Sequence, residues 1–123
     1  MLSPSTMASK SNHSPAQREW LNKVDRIIAS NLKDSSFVVA QIAMQLFVSE
    51  RQFYRKLKLL TGKTPNQYIR KARMIKAKEI IRKGYTGDLN KLAKMVGYQR
   101  ADYFSTVYYE HYGVRPNDEI KRK

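Results

Sequence analysis

The sequence predicts an all-α fold of seven helices, arranged as two helix-turn-helix units joined by a long linker helix. Apolar residues recur at three- and four-residue spacing, as in Trp20, Val24, Ile27 and Ile28, which is the period of an amphipathic helix. Capping residues open several of these periodic segments, and glycines end several of them. No segment sustains an alternation of apolar and polar residues, so we expect no sheet.

Start and stop signals set the predicted helix boundaries. Ser14 and Gln17 form a capping box around Pro15, a residue suited to the first helical position. The first helix is therefore expected at 15–32, and the same box recurs twice later in the chain. The other predicted helices span 38–46, 50–61, 65–83, 89–96 and 100–112, with a short seventh helix that starts at Pro116.

The residues before the first helix differ in character from the rest. Residues 1–13 are rich in serine and show no apolar period. Such a segment is typical of a flexible tail, an interdomain linker or residues added for expression. We therefore expect the folded domain to comprise residues 14–123.

The chain repeats itself at an offset of 50 to 51 residues. Ile42-Ala43 followed by Leu46 matches Leu92-Ala93 followed by Val96. Later pairs are Phe53 and Phe104, Leu57 and Tyr108, Gly62 and Gly113, and Pro65 and Pro116. Each copy is a helix, a short turn and a second helix, which is the helix-turn-helix layout. The two units are expected at 38–61 and 89–112, with the linker helix at 65–83.

Positive charge is concentrated in one part of the chain. The 123 residues carry 24 Lys and Arg against 10 Asp and Glu, a formal net charge of +14. The segment from Arg51 to Lys83 holds twelve of these cations, opposed only by Glu79. Such clustering is typical of nucleic-acid binding, because each neutralised phosphate releases counterions. An anionic membrane surface is the main alternative partner that this charge would suit.

Several function classes are excluded or disfavoured. The absence of cysteine excludes thiolate catalysis and thiolate-ligated metals. No carboxylate pair, nucleophile–base pair or phosphate-cradling loop stands out, so we expect no enzyme activity, no cofactor and no metal. No run of about 18 apolar residues exists that could span a membrane. We expect a cytoplasmic protein without a membrane partner.

The combined pattern resembles the DNA-binding domain of the AraC/XylS family of transcription regulators. Residues 38–122 carry the pattern: Ile42-Ala43, Ser49, Phe53-x-Arg55-x-Leu57-Lys58, Gly62-x-x-Pro65-x-x-Tyr68, Arg73, Ala77, Leu92-Ala93, Gly97-Tyr98, Tyr103-Phe104 and Gly113-x-x-Pro116. The resemblance implies double-stranded DNA bound by both recognition helices. A linker helix of about 20 residues spans roughly 30 Å, which suits successive major grooves about 34 Å apart.

The resemblance also implies a larger bacterial regulator. Family members mostly place this unit at the C-terminus, so we expect an output domain preceded by a sensor or dimerisation domain. RNA polymerase is a further expected partner. The alternative function is a basic RNA-binding or nucleoid-associated helical domain without operator specificity, which would expose aromatic residues for stacking on bases.

The helix at 50–61 is the predicted recognition helix of the first unit. On a helical wheel, Phe53 and Leu57 lie on one face and the cations on the other. Arginine can bridge guanine, whereas lysine mostly meets phosphate. We expect base contacts from Arg51, Tyr54 and Arg55 and phosphate contacts from Lys58, Ser49, Lys63 and Thr64.

The helix at 100–112 is the predicted recognition helix of the second unit, and it is less basic. We expect base contacts from Asp102, Tyr103 and Thr106, and phosphate contacts from Arg100 and Arg115. The resembled family usually has a basic residue at the positions of Thr106 and Tyr109, and this chain has none there.

Three further residues have predicted structural roles. Phe47 occupies the position that Gly97 has in the second unit. Either Phe47 adopts a positive φ, which costs a non-glycine residue conformational energy, or the first turn has another geometry. Arg73 is expected to bond a buried acceptor, and His111 is expected on the inward face of its helix.

Overall fold

Seven helices lie within residues 13–120, the part of the chain that the computed structural model describes, and this part contains no strand. The predicted all-α class with seven helices is confirmed. The first twelve residues of the predicted tail lie outside the described residues. The helices are α1 (Pro15–Ser30), α2 (Val39–Gln45), α3 (Glu50–Thr61), α4 (Pro65–Arg82), α5 (Leu89–Met95), α6 (Ala101–Tyr112) and α7 (Pro116–Glu119).

Capping boxes begin three of the helices, as predicted. In α3, the Ser49 hydroxyl accepts from the Gln52 backbone N–H (3.1 Å), and the Gln52 side chain accepts from the Ser49 N–H (2.9 Å). The same reciprocal pair opens α1 at Ser14 and α4 at Thr64. Each box satisfies two backbone donors that the first turn of a helix leaves free. Gln52 is thus the capping partner of Ser49.

Several helix ends differ from the predicted boundaries by one or two residues. Helix α2 spans 39–45 instead of 38–46, and α4 and α5 end at residues 82 and 95 instead of 83 and 96. The first helix ends at Ser30 instead of residue 32, because the Asn31 side chain donates to the Ile27 carbonyl (2.8 Å) and closes the last turn. The sixth helix begins at Ala101, and Arg100 is its N-cap without a side-chain capping bond.

The chain divides into two compact units. Of the described residues, unit 1 contains 13–31 and 37–72, and unit 2 contains 32–36 and 73–120. The first part of α4, residues 65–72, belongs to unit 1, and the rest, residues 73–82, belongs to unit 2.

Unit 1 has an aromatic and aliphatic core built around α1 and α3. Fully buried side chains include Leu21, Val24, Ile42, Phe53 and Leu57. Burial of each such side chain stabilises the fold by about 1.5–3 kcal/mol. A buried polar pair lies in the same unit, where the Tyr68 hydroxyl donates to the Asp25 carboxylate at 2.6 Å. Burial and this carboxylate raise the pKa of Tyr68, so the hydroxyl keeps its proton and satisfies Asp25.

His13 belongs to this unit and not to the tail in which it was predicted to lie. Its Nε2 bonds to the Leu60 carbonyl oxygen at 2.9 Å, and its own carbonyl accepts from Arg18 (2.6 Å). These two bonds hold His13 to α3 and α1.

Unit 2 has its own core, formed by the second part of α4 with α5 and α6. Its buried residues are Met74, Ala77, Ile81, Leu92, Ala93, Val96, Phe104, Val107, Tyr108 and Ile120. The Glu119 carboxylate accepts from both Lys78 (2.8 Å) and the Tyr108 hydroxyl, which ties α7 to this core. Hydrogen bonds from Lys78 and then Tyr108 lower the pKa of Glu119. His111 is exposed, so its predicted inward position is wrong.

The turn between α5 and α6 is built around a buried arginine. Arg73 is 6% exposed and donates to the carbonyls of Leu32 (2.8 Å) and Val96 (2.9 Å). This confirms its predicted role as the partner of a buried acceptor. Gly97 has φ +88, and a Cβ atom there would lie 1.3 Å from Arg73 Nη1. Only glycine leaves room for the guanidinium at this position.

The matching turn of unit 1 has the same backbone geometry without that constraint. Phe47 adopts φ 59, the left-handed conformation, and its side chain is 94% exposed. The first of the two predicted alternatives is therefore correct. A non-glycine residue in this conformation costs on the order of 1 kcal/mol.

Replacing Phe47 with glycine should stabilise the protein by about 1 kcal/mol, because glycine adopts positive φ without a steric penalty. The lost side chain is exposed, so its removal forfeits little packing. Urea unfolding followed by circular dichroism measures the change. Phe47→Ala serves as the control, because it removes the ring and keeps the backbone penalty. Equal stabilities of the alanine and glycine variants would contradict the explanation.

Candidate DNA interface

The outward face of α3 holds a set of exposed cations. Phe53 and Leu57 are buried on one side of this helix, and Arg51, Arg55 and Lys58 are exposed on the other. Among the described residues, no ion pair engages any of these three cations. Gly62 ends the helix at φ 75. The cations are therefore free to meet an external anion.

Four of the predicted contact residues line one open groove in unit 1. Arg51, Tyr54 and Arg55 of α3 meet Thr64 there, with Pro65 and Asn66 of α4. Tyr54 is 47% exposed, so its ring edge and hydroxyl are accessible. The groove also contains Glu50, the one acid of α3. The structure thus brings together the predicted base contacts of unit 1.

The predicted phosphate contacts of unit 1 lie at helix ends. Ser49 and Thr64 are the N-caps of α3 and α4, and each hydroxyl oxygen already accepts a backbone N–H. Each hydroxyl hydrogen remains available to an external acceptor. Lys63 is half-buried and lies near Lys71, whose pKa is lowered by burial and then by the positive charge of Lys63. Lys58 is exposed in the last turn of α3.

The outward face of α6 has no Lys or Arg. Asp102, Thr106 and Tyr109 are exposed there, and Tyr103 is 52% exposed. These positions correspond to Arg51, Arg55 and Lys58 in α3 through the offset of 51 residues, with Tyr103 corresponding to Gln52. The Thr106 hydroxyl donates to the Asp102 carbonyl (3.1 Å) within the helix. The two units therefore present different chemistry on matching surfaces.

A bidentate ion pair occupies the start of α6. Arg100 Nε donates to Asp102 Oδ1 at 3.1 Å, and Arg100 Nη2 donates to Asp102 Oδ2 at 2.6 Å. The Arg100 hydrogen bond, and then the Tyr103 backbone N–H, hold the pKa of Asp102 below its usual range. This pair was not predicted from the sequence, where Arg100 and Asp102 have separate expected roles. Their spacing across the helix start could have indicated it.

Arg115 is held beside α6 by two contacts. Its guanidinium carbon lies 5.0 Å from the centre of the Tyr109 ring, and its Nη1 donates to the Ser105 hydroxyl (3.2 Å). It remains exposed and keeps donors for a further partner.

The described residues offer little for other chemistries. No group of three or more His, Cys, Asp or Glu that could hold a metal ion occurs among them. Within the same part of the chain, no helix is both long and apolar enough to cross a membrane.

Comparison with known proteins identifies the family. Residues 42–122 match the family model described as a helix-turn-helix domain. A 77-residue stretch, 63% of this chain, is 30% identical to the HTH-type transcriptional activator RhaS of Shigella boydii. The chain belongs to the AraC/XylS family of helix-turn-helix domains. Domains of this family bind DNA in transcription regulation, and this chain is such a DNA-binding domain.

Two further proteins are similar to this chain over most of its length. Histidine kinase P4 of Formosa agariphila is 24% identical over 109 residues, 89% of this chain. The solved C-terminal domain of AraT, a response regulator from Geobacillus stearothermophilus, superposes with a TM-score of 0.74 and 28% identity, covering 89% of this chain and 86% of that one. The chain spans 27% of the length of RhaS and 8% of the length of the kinase.

Proposed function

We propose that the protein binds duplex DNA sequence-specifically, with α3 and α6 in successive major grooves, and so regulates transcription. The observation that carries this proposal is the pair of helix-turn-helix units within one family domain. Each unit has a second helix with one buried face and one exposed face. A recognition helix needs this division, because one side packs on its own unit and the other meets base edges.

In unit 1, the groove residues have the chemistry for base contacts. Arg51 and Arg55 each offer a planar fork of donors, which matches O6 and N7 of guanine. Tyr54 offers an accessible ring and a hydroxyl. Lys58, Lys63 and the hydroxyls of Ser49 and Thr64 would meet phosphates and fix the helix in its groove.

In unit 2, α6 would contribute contacts of lower net charge. Asp102 can accept from cytosine N4, and Tyr103 and Thr106 offer hydroxyls and apolar surface. Arg115 would meet phosphate. Because phosphate contacts supply most non-specific affinity, we propose that unit 1 is the anchor and unit 2 the weaker partner.

The wider organisation of the protein is also a proposal. The relatives include a transcriptional activator and a histidine kinase, both much longer than this chain. Another relative is the C-terminal domain of a response regulator. We propose that this domain is the output module of a bacterial regulator with a sensor or dimerisation domain, and that RNA polymerase is a partner.

Selection of binding sites from random duplex DNA tests this proposal. The purified protein should enrich one sequence that contains two short conserved blocks about one helical turn apart. Methylation protection on that sequence should then show guanines shielded in two adjacent major grooves. Enrichment of no sequence would contradict specific binding. Protection of a single groove would limit DNA recognition to one unit.

A further inference from the structure

The start of α6 departs from two local rules of helix stability. Its N-cap is Arg100, whose side chain makes no capping bond, whereas the matching N-cap of α3 is Ser49 in a full capping box. A cation at a helix N-terminus also opposes the helix dipole. Residues that depart from local rules in this way are expected chiefly at functional positions.

The carboxylate of Asp102 fixes the orientation of the Arg100 side chain. Two parallel hydrogen bonds hold Nε and Nη2, which restricts the rotation of the guanidinium. Both hydrogens of Nη1 and one hydrogen of Nη2 remain without a partner in this pair. These donors lie on the edge of the guanidinium that can bridge two acceptors. The pair is exposed, with side-chain exposures of 77% and 68%, so this edge is accessible.

The position on α6 suits contact with a base. In helix-turn-helix units, the residues at the N-terminus of the recognition helix contact base edges in the major groove. Guanine presents O6 and N7 there, the two acceptors that an arginine fork matches. A guanidinium that is already oriented loses less entropy when it forms these two bonds.

We propose that Arg100 selects a guanine in the DNA bound by unit 2 and that Asp102 is its positioning residue. This inference rests on the proposed function and changes the roles first predicted for both residues, phosphate contact for Arg100 and base contact for Asp102. It gives the recognition helix of unit 2, which has no Lys or Arg of its own, a specificity determinant at its N-cap. In unit 1, Arg51 occupies the position that corresponds to Asp102. The Arg100–Asp102 ion pair therefore has no counterpart there.

Site selection with three variants tests the inference. Arg100→Lys keeps the positive charge and removes the fork, so the preference for one G·C pair should fall by about 5- to 150-fold, while non-specific affinity stays unchanged. Asp102→Asn keeps the side-chain shape and weakens the hold on Arg100, so the preference at the same base pair should fall by a smaller factor. Arg26→Lys alters an exposed arginine that pairs with Glu19 in unit 1 and should change no position.

The outcomes separate this inference from the proposed function. If the unaltered protein enriches no sequence, the proposed function fails and the inference fails with it. If that protein enriches a site and Arg100→Lys leaves every position unchanged, Arg100 is a phosphate contact and the inference alone fails. If Asp102→Asn changes a different base pair from Arg100→Lys, Asp102 contacts a base itself and its positioning role is overturned. Circular dichroism spectra confirm that each variant is folded.

Discussion

Replacing Gly97 with alanine should destabilise the protein by about 3–5 kcal/mol, the range measured when a buried charged group loses its partners. The new Cβ would lie 1.3 Å from Arg73 Nη1 and 2.3 Å from the Leu32 carbonyl oxygen, so the guanidinium must move. Its bonds to the Leu32 and Val96 carbonyls would then break, leaving a buried cation and two buried acceptors unsatisfied. Urea unfolding followed by circular dichroism gives the free energy of unfolding.

Gly113→Ala is the matched control for the backbone contribution. Gly113 has φ +77, and a Cβ atom there would have no other atom within 4 Å. Its replacement should cost only the conformational penalty of about 1 kcal/mol. If the two alanine variants lose the same stability, the close approach of Arg73 to Gly97 does not matter energetically, and the explanation of this turn is wrong.

Replacing Arg55 with alanine should weaken binding to the selected DNA site by about 1–3 kcal/mol and relax the preference at one base pair. Arg55 lines the groove of unit 1 and has no ion-pair partner among the described residues, so its fork is free for guanine. Affinities for the selected site and for single-base variants of it, measured by fluorescence anisotropy, give both effects.

Lys58→Ala is the comparison on the same helix. Lys58 is exposed in the last turn of α3, and its loss should weaken binding to all sequences alike and reduce the salt slope by about one. Equal and sequence-independent losses from both variants would show that Arg55 contacts phosphate as Lys58 does. A base preference lost in Lys58→Ala would reverse the two roles.

The helices and their caps were predictable because their signals are local. Ser49 and Gln52 lie three residues apart, so their reciprocal bonds follow from helix geometry without reference to the rest of the chain. The glycines that end helices were predicted in the same local way, from their position just after the last helical residue. Likewise, a helical wheel of α3 correctly placed Phe53 on the buried face and Arg55 on the exposed face. The helical period of about 3.6 residues is enough to assign both positions.

The features that the sequence did not reveal depend on contacts between distant residues or on side-chain conformation. His111 was expected on the inward face, but it lies at the end of α6 beyond the buried Tyr108 and is exposed. The requirement for Gly97 arises from Arg73, which is 24 residues away in the chain. The Arg100–Asp102 pair spans the helix boundary, where helical periodicity does not apply.

The salt dependence of binding to duplex DNA tests the central claim most directly. If Lys58, Lys63 and Arg115 neutralise phosphates, affinity should fall roughly 40-fold between 50 and 200 mM salt, because each neutralised phosphate adds about 0.9 to the slope. Duplex DNA should also bind more tightly than single-stranded RNA of the same length. An affinity that changes less than about twofold over this range, or equal affinity for the RNA, would contradict the account.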